Sequence, residues 1–337
     1  MMSSESASPA VRRPAVLVTR RVFPEVIARL REHFEVQTNE ADQPWGRDEL
    51  IARLQGKAGV FVTTSEPIDA GLLAACPDLR AVCSMAVGYN NIDVAACQAR
   101  GVMVTHAPDV LTETTADFGF ALLLAAARRV GEAERLLRRG EWSKWSVDFM
   151  AGADVHGATL GILGMGRIGQ AIARRGALGF GMKVIYHNRS RLPEDTEAAL
   201  GGAERVELDA LLERSDHLII VVPYSAATRH IVGAAQLARM KRGAVLVNIA
   251  RGGVVDDAAL AMALRSGHIG AAGLDVFEGE PAVHPALLDL PNTVLTPHIA
   301  SASEPTRRAM ANLAADNLIG LLATGQGAKT PVPELRG

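Results

Sequence analysis

Residues Thr159–Arg175 read TLGILGMGRIGQAIARR, and this stretch decides the fold. A short apolar run comes first, then three glycines spaced G-x-G-x-x-G, then a helical pattern. Each glycine has a physical task. Gly164 permits a tight turn, Gly166 lets the backbone approach a pyrophosphate, and Gly169 allows a helix to pack closely on the strand. Arg167 and Ile168 lie between the second and third glycines, at the start of the helix. That helix start offers amide donors and the positive end of a dipole to phosphate oxygens. A glycine turn alone could serve packing only. Further strand patterns behind it turn the expectation toward a nucleotide.

The next strand pattern ends in VIYHNRSR, Val184–Arg191. An Asp or Glu normally closes this strand, accepts hydrogen bonds from the ribose hydroxyls and repels a 2′-phosphate. Here Asn188, Arg189 and Ser190 stand instead. The planar guanidinium of Arg189 can pair with a 2′-phosphate, and Asn188 and Ser190 can donate to its oxygens. The substitution points to NADP(H) as the preferred cofactor, with NAD(H) possible. The bland alternative is a solvated arginine on an exposed loop. His187 and Arg191 could assist or simply face water.

Working outward, six strand patterns follow one another from Ala158: TLGILG, KVIYHN, HLIIVVP, AVLVNIA, GAAGLDV and TVLTPH. Helical segments separate most of them, which predicts a parallel sheet of dinucleotide-binding type. Upstream, AVLVTR, AGVFVT, LRAVCSM and VMVTH predict a smaller α/β layer. A long helical pattern runs from Thr112 to about Arg139, with Glu113 in its first turn. The last helical pattern, from Glu304, has no further sheet to join and is placed back on the first layer. The expected fold class is α/β: two doubly wound parallel-sheet domains, a Rossmann cofactor domain over 111–298 and a smaller flavodoxin-like substrate domain over 14–110 and 299–330. Residues 1–13 are expected to be a disordered tail, with no apolar segment of the signal-peptide kind.

Composition narrows the classes. Of 337 residues, 48% are hydrophobic and 21% charged, which suits about two globular domains. The 35 basic and 37 acidic residues leave a net charge of −2, so neither a nucleic acid nor a membrane is an expected partner. The longest apolar run, FGFALLLAAA, is about half the length a bilayer needs. Three cysteines, Cys76, Cys83 and Cys97, make no disulfide framework and point to a reducing, cytoplasmic setting. They have no metal spacing, there is no HExxH, and Asp256 and Asp257 suit a helix cap, so no metal is expected.

A second constellation lies at three successive strand ends. Arg251 follows AVLVNIA, Asp275 and Glu280 follow GAAGL, and His298 follows TVLTP. In a doubly wound sheet these ends face the ligand crevice. A carbonyl that accepts hydride needs a cation to polarise it and a donor to protonate the oxygen. Histidine titrates near neutrality and suits the second task. Glu280, if bonded to it, would favour the imidazolium. Any one of these residues alone is more ordinarily structural; three on the edge that carries the glycine turn are not.

With these motifs in place, the chain resembles the D-isomer-specific 2-hydroxyacid dehydrogenases over about residues 15–325. The matching segments are GILGMGRIGQAIARR, LVNIARGGVVDDAAL, AAGLDVFEGEP and TPHIAS. MAVGYNNIDVAAC and GEWSKWSVDFMAGADVHGATLGI look most like the glyoxylate/hydroxypyruvate and 2-ketogluconate reductases. The resemblance implies that Arg251 grips the substrate's carboxylate and keto oxygen, and that His298 is the acid/base paired with Glu280. It implies that Val87 and Gly88 offer amides to the carboxylate, that Asp275 meets the nicotinamide carboxamide, and that Val222, Pro223, Ile249, Ala250 and Thr115 line the cofactor. It also implies a homodimer in which Trp145 reaches the partner's substrate pocket; packing of Trp142 and Trp145 within their own loop is the plainer alternative. The residues around Gly88 admit a structural account too: Asn90 or Asn91 could cap the helix that Ile92 enters.

The expected function is therefore NADPH-dependent reduction of a small 2-oxoacid (glyoxylate, hydroxypyruvate or 2-ketogluconate) to the D-2-hydroxyacid. The alternatives are a nicotinamide-sensing, corepressor-like binding module, or a phosphoglycerate, formate or phosphite dehydrogenase of the same family.

Overall fold

The computed structural model describes residues 13–336, and among these, twelve parallel strands, most of them buried on both faces, carry the fold. The tail expected over 1–13 lies, but for Arg13, outside the described residues. The chain divides into two units, one of residues up to Val110 together with those from Glu304 onward, the other Leu111–Ser303.

In the first unit, strands β1 (Ala15–Val18), β2 (Glu35–Thr38), β3 (Gly59–Val62), β4 (Ala81–Ser84) and β5 (Met103–Thr105) form a parallel sheet in the order β2-β1-β3-β4-β5. That is the flavodoxin-like order. The apolar runs β3 and β4 are wholly buried, as strands covered on both faces must be. Strand β2, EVQT, escaped the sequence expectation: it is a half-exposed edge strand with no apolar run. The helix Glu304–Ile319 packs on β3 and β4 through Met310, Ala311, Ala314 and Leu318. Asp93, not Asn90 or Asn91, caps the helix Val94–Ala99: its Oδ1 accepts from Ala96 N at 2.9 Å. Asn91 instead donates to the Thr63 and Glu66 carbonyls.

In the second unit, β6 (Thr159–Leu163), β7 (Lys183–His187), β8 (Glu204–Arg205), β9 (His217–Ile220), β10 (Ala244–Asn248), β11 (Ile269–Leu274) and β12 (Thr293–Leu295) run in the order β12-β11-β10-β9-β6-β7-β8. Six strands were expected and seven are present. The extra one, β8, is a two-residue edge strand of charged residues, too short and too polar to leave a periodic signal. Connections leave β6 in opposite directions, toward β7 and toward β9, so the glycine turn after β6 sits at the point where a ligand crevice opens. Two apolar clusters cover the two faces of this sheet.

The long helix expected from Thr112 to about Arg139 is two helices, Thr112–Ala127 and Val130–Arg138. The break is at Arg129, which takes the left-handed conformation (φ 55°) and turns its guanidinium onto Glu132 at 2.9 Å. Beyond it, Ala153 N donates to the carbonyl of Ala127, the last residue of the first helix, so the loop 140–157 docks where that helix stops. Both halves are rich in helix formers, and neither propensity nor periodicity marks the interruption. Among the described residues no helix is long and apolar enough to cross a membrane.

Candidate active site

The glycine turn is built as its sequence demands. Gly164 has φ +102°, and its N–H donates to the His187 carbonyl of the neighbouring strand at 2.9 Å. A side chain on Gly169 would put its Cβ 2.2 Å from the Gly164 carbonyl, so only glycine lets the helix Arg167–Arg174 sit on the turn. Gly166 differs: a Cβ there would meet nothing within 4 Å. Its backbone therefore presents an open face at a helix start with no acidic residue in its first turn. Thr115 adds a second mark. Its hydroxyl is buried and, among the described residues, has no hydrogen-bond partner. An open backbone cradle and an orphaned buried hydroxyl in one unit fit a dinucleotide. Ile249 and Ala250 are buried at the end of β10, while just past β9 Val222 is half-buried against Gly164 and Pro223 is exposed.

At the end of β7 the cations separate into occupied and unoccupied. Tyr186 is fully buried and donates its hydroxyl to Glu197 at 2.6 Å, and Arg191 pairs with the same carboxylate at 2.8 Å. His187 bonds the Val206 carbonyl. Neither Arg191 nor His187 faces water idly. Asn188 also ties the loop: its Oδ1 accepts from Met165 N and its amide donates to the Ser190 carbonyl. Arg189 and Ser190 are exposed, and among the described residues Arg189 has no carboxylate partner. Sequence patterns missed Arg205. From β8 it donates to the Asn188 carbonyl at 3.3 Å and pairs with Glu207.

Strands β10, β11 and β12 are neighbours, so Arg251, Glu280 and His298 issue from three adjacent strand ends. His298 Nδ1 donates to Glu280 Oε2 at 2.8 Å, and Phe277 N donates to Glu280 Oε1 at 3.0 Å. Burial alone would raise the Glu280 carboxyl. The hydrogen bond and charge of His298, the Phe277 N–H and the charge of Arg251 outweigh it and hold the group below the ordinary carboxylate range. Arg251 is half-buried, and desolvation pulls its guanidinium down against the attraction of Glu280. Asn248 holds the loop that carries it, accepting from Ala250 N and donating to the Arg251 carbonyl.

His298 has φ 54°, an uncommon conformation for a residue with a Cβ. Asp275 fixes it. The Asp275 carbonyl accepts from His298 N, and its fully buried carboxylate accepts from Ile299 N, Ala300 N and Thr296 Oγ1 at 2.7–2.8 Å. Asp256 caps the helix Asp257–Arg265, and Asp257 accepts from Glu278 N.

Val87 and Gly88 belong to the first unit, in the loop after β4, and both are half-buried. Trp145 belongs to the second unit, where it is 75% exposed within a run that also exposes Leu137, Trp142 and Val147.

Comparison with known proteins agrees with this architecture. The profile of the D-isomer-specific 2-hydroxyacid dehydrogenase NAD-binding domain matches residues 120–300. A glyoxylate reductase of Korarchaeum cryptofilum is 50% identical over 310 residues, 91% of this chain and 92% of that one. The chain belongs to the D-isomer-specific 2-hydroxyacid dehydrogenase family. Among solved structures of the family, a glyoxylate reductase from Paecilomyes thermophila matches with TM-score 0.86 and 34% identity over 96% of this chain and 99% of that one. An NADPH-dependent glyoxylate/hydroxypyruvate reductase from Sinorhizobium meliloti, in complex with NADP and malonate, matches with TM-score 0.83 and 40% identity over 96% and 97%. The protein is an NAD(P)-dependent 2-hydroxyacid dehydrogenase of the glyoxylate/hydroxypyruvate reductase type, an enzyme of 2-oxoacid reduction.

Proposed function

We propose that this dehydrogenase reduces a small 2-oxoacid (glyoxylate, hydroxypyruvate or 2-ketogluconate) to the D-2-hydroxyacid with NADPH, His298 giving the proton. The observation that carries this is the 2.8 Å bond from His298 Nδ1 to Glu280, a carboxyl held ionised beside Arg251 on neighbouring strand ends. A carboxylate can only accept, so Nδ1 keeps its hydrogen toward Glu280. Nε2 is then the nitrogen that gives a proton to the keto oxygen. Arg251 grips the substrate's carboxylate and polarises that oxygen, and the Val87 and Gly88 amides hold the carboxylate as well. Gly164, Gly166, Arg167, Ile168 and Gly169 take the pyrophosphate, while Thr115, Val222, Pro223, Ile249, Ala250 and Asp275 take the nicotinamide end. When bound, the dinucleotide supplies the hydride.

The preference for NADP(H) over NAD(H) is supported by the exposed Arg189, which has no carboxylate partner among the described residues, and by the absence of an acid at the end of β7. The NADPH-dependent relative from Sinorhizobium meliloti points the same way. Three free, buried thiols suit a reducing cytoplasm. The exposed side chains of Leu137, Trp142, Trp145 and Val147 support a homodimer in which a second copy covers them, and Trp145 enters the partner's pocket.

The test follows NADPH absorbance with glyoxylate, hydroxypyruvate and 2-ketogluconate in turn, and with NADH in parallel. Turnover with at least one oxoacid, faster with NADPH, is expected. No turnover with any 2-oxoacid would overturn the assignment.

A further inference from the structure

We infer that His106, a residue no motif singled out, is a positioning residue that aims the Gly88 N–H at the substrate carboxylate. The inference rests on the proposed role of Gly88. His106 Nδ1 lies 3.0 Å from the Val87 carbonyl oxygen. A carbonyl accepts and cannot donate, so Nδ1 is the protonated nitrogen and donates. The Val87 carbonyl and the Gly88 N–H belong to one planar trans peptide, in which they point in opposite directions. Fixing the carbonyl therefore fixes the N–H. Without an anchor this peptide is free to rotate, since glycine on its far side tolerates nearly any φ.

The anchor is itself held, through its backbone and against one edge of its ring. His106 follows β5, next to the β4 strand whose loop it holds. Its N–H donates to the Thr330 carbonyl at 3.1 Å, and its carbonyl accepts from Thr330 Oγ1 at 2.6 Å. Thr330 is in turn gripped by Asn317, fully buried on the helix Glu304–Ile319: Asn317 Nδ2 donates to Thr330 Oγ1 at 2.8 Å, and Thr330 N donates to Asn317 Oδ1 at 3.1 Å. Tyr89 meets the His106 ring edge-on, with centroids 5.4 Å apart at 86°, and its hydroxyl donates to Glu334. A chain of contacts thus runs from the buried Asn317 through Thr330 and His106 to one peptide plane. A loop that needed only to be closed would not require a side chain on that carbonyl. An amide that must keep one direction does.

The test compares wild type with His106→Ala and His106→Asn. Asparagine places an N–H donor two bonds from Cβ, as histidine places Nδ1, so it keeps the anchor. The proteins are labelled with 15N-glycine, saturated with reduced cofactor and titrated with oxamate, a 2-oxoacid isostere that takes no hydride. In wild type the Gly88 amide resonance is expected to move on oxamate binding. In His106→Ala that movement is lost and KM for the 2-oxoacid rises on the order of tenfold, the worth of one charge-assisted hydrogen bond. Cofactor KM and kcat stay near wild type, and His106→Asn restores both the shift and KM. A Gly88 amide that moves equally in wild type and His106→Ala overturns the role of His106 while leaving that of Gly88 intact. A Gly88 amide that does not move in wild type overturns the Gly88 assignment itself. Should His106→Ala not fold, His106→Leu, which fills similar volume without a donor, gives the same comparison.

Discussion

Replacing Glu280 by Gln removes a charge and almost no volume, and its consequence for the pH dependence can be worked out from the site. The His298–Glu280 contact is 2.8 Å, with the two side chains 32% and 34% exposed. Two charges about 4 Å apart attract by about 4 kcal/mol at an effective dielectric of about 20. Fully exposed pairs keep only about 0.2–1 kcal/mol. A pair one-third exposed falls between, near about 1.4 kcal/mol, which is about a factor of ten in rate. The sign of the pH effect follows from Glu280 itself. Burial would raise its carboxyl, but His298 and the Phe277 N–H outweigh that and hold it below the ordinary carboxylate range. The contribution of a depressed carboxyl is present above its ordinary value and is lost as pH falls through the lowered one. The acid limb of wild-type kcat/KM for 2-oxoacid reduction should therefore lie below the ordinary carboxylate range. Glutamine takes up no proton there, so Glu280→Gln should lack that limb and run about ten-fold slower on the plateau. Part of the fall is geometric: Glu280 accepts at both oxygens, from Phe277 N and from His298, whereas glutamine has one oxygen for two donors. Steady-state rates at a series of pH values make the measurement. A folded Glu280→Gln enzyme with the acid limb and the plateau of wild type would refute the pairing of His298 with Glu280 as a support of the reaction.

Three further outcomes are expected. His298→Gln should lose most of kcat while cofactor affinity, read by fluorescence titration, stays near wild type. Arg189→Ala should weaken NADPH by ten-fold or more, the loss of about 1.5–3 kcal/mol for a charged hydrogen bond, and leave NADH nearly unchanged; an equal loss for both would make Arg189 a solvated loop residue. Gly169→Ala should lower stability to denaturant by about 1–3 kcal/mol and weaken cofactor binding, because its Cβ falls 2.2 Å from a backbone oxygen that cannot swing aside.

Much of this was legible because parallel sheets bury both faces of their strands. Buried strands such as AVLVN and GVFV are almost wholly apolar, and the turns between them carry glycine where the backbone must bend. Arg251, Glu280 and His298 could be grouped from the sequence because neighbouring strand ends in such a sheet converge on one rim. What escaped has equally physical reasons. Strands β2 and β8 sit at sheet edges, where one flank is open and polar residues are tolerated. The break at Arg129 is imposed by Ala153 docking on the Ala127 carbonyl, a contact between residues 26 apart that no local pattern contains. The occupied state of Arg191 was hidden in the same way, since its partner Glu197 lies on the following helix and is fixed by a buried tyrosine.

Asp275 shows how structure and chemistry share one residue. The resemblance marks it for the nicotinamide, and nothing local in AAGLDVFEGEP suggests otherwise. In the fold its carboxylate takes three donors from the segment Thr296–Ala300, and its carbonyl takes the His298 N–H. A non-glycine residue in the left-handed region costs on the order of 1–3 kcal/mol and persists only where its surroundings over-determine it. Four hydrogen bonds from one residue supply that constraint. The conformation of His298 is thus set from β11, one strand away from its own, and so is the direction of its ring toward Glu280. A residue of this kind has a reason to be aspartate before any cofactor arrives. Its chemistry and its load on the backbone cannot be separated by composition or spacing, only by counting where its lone pairs go.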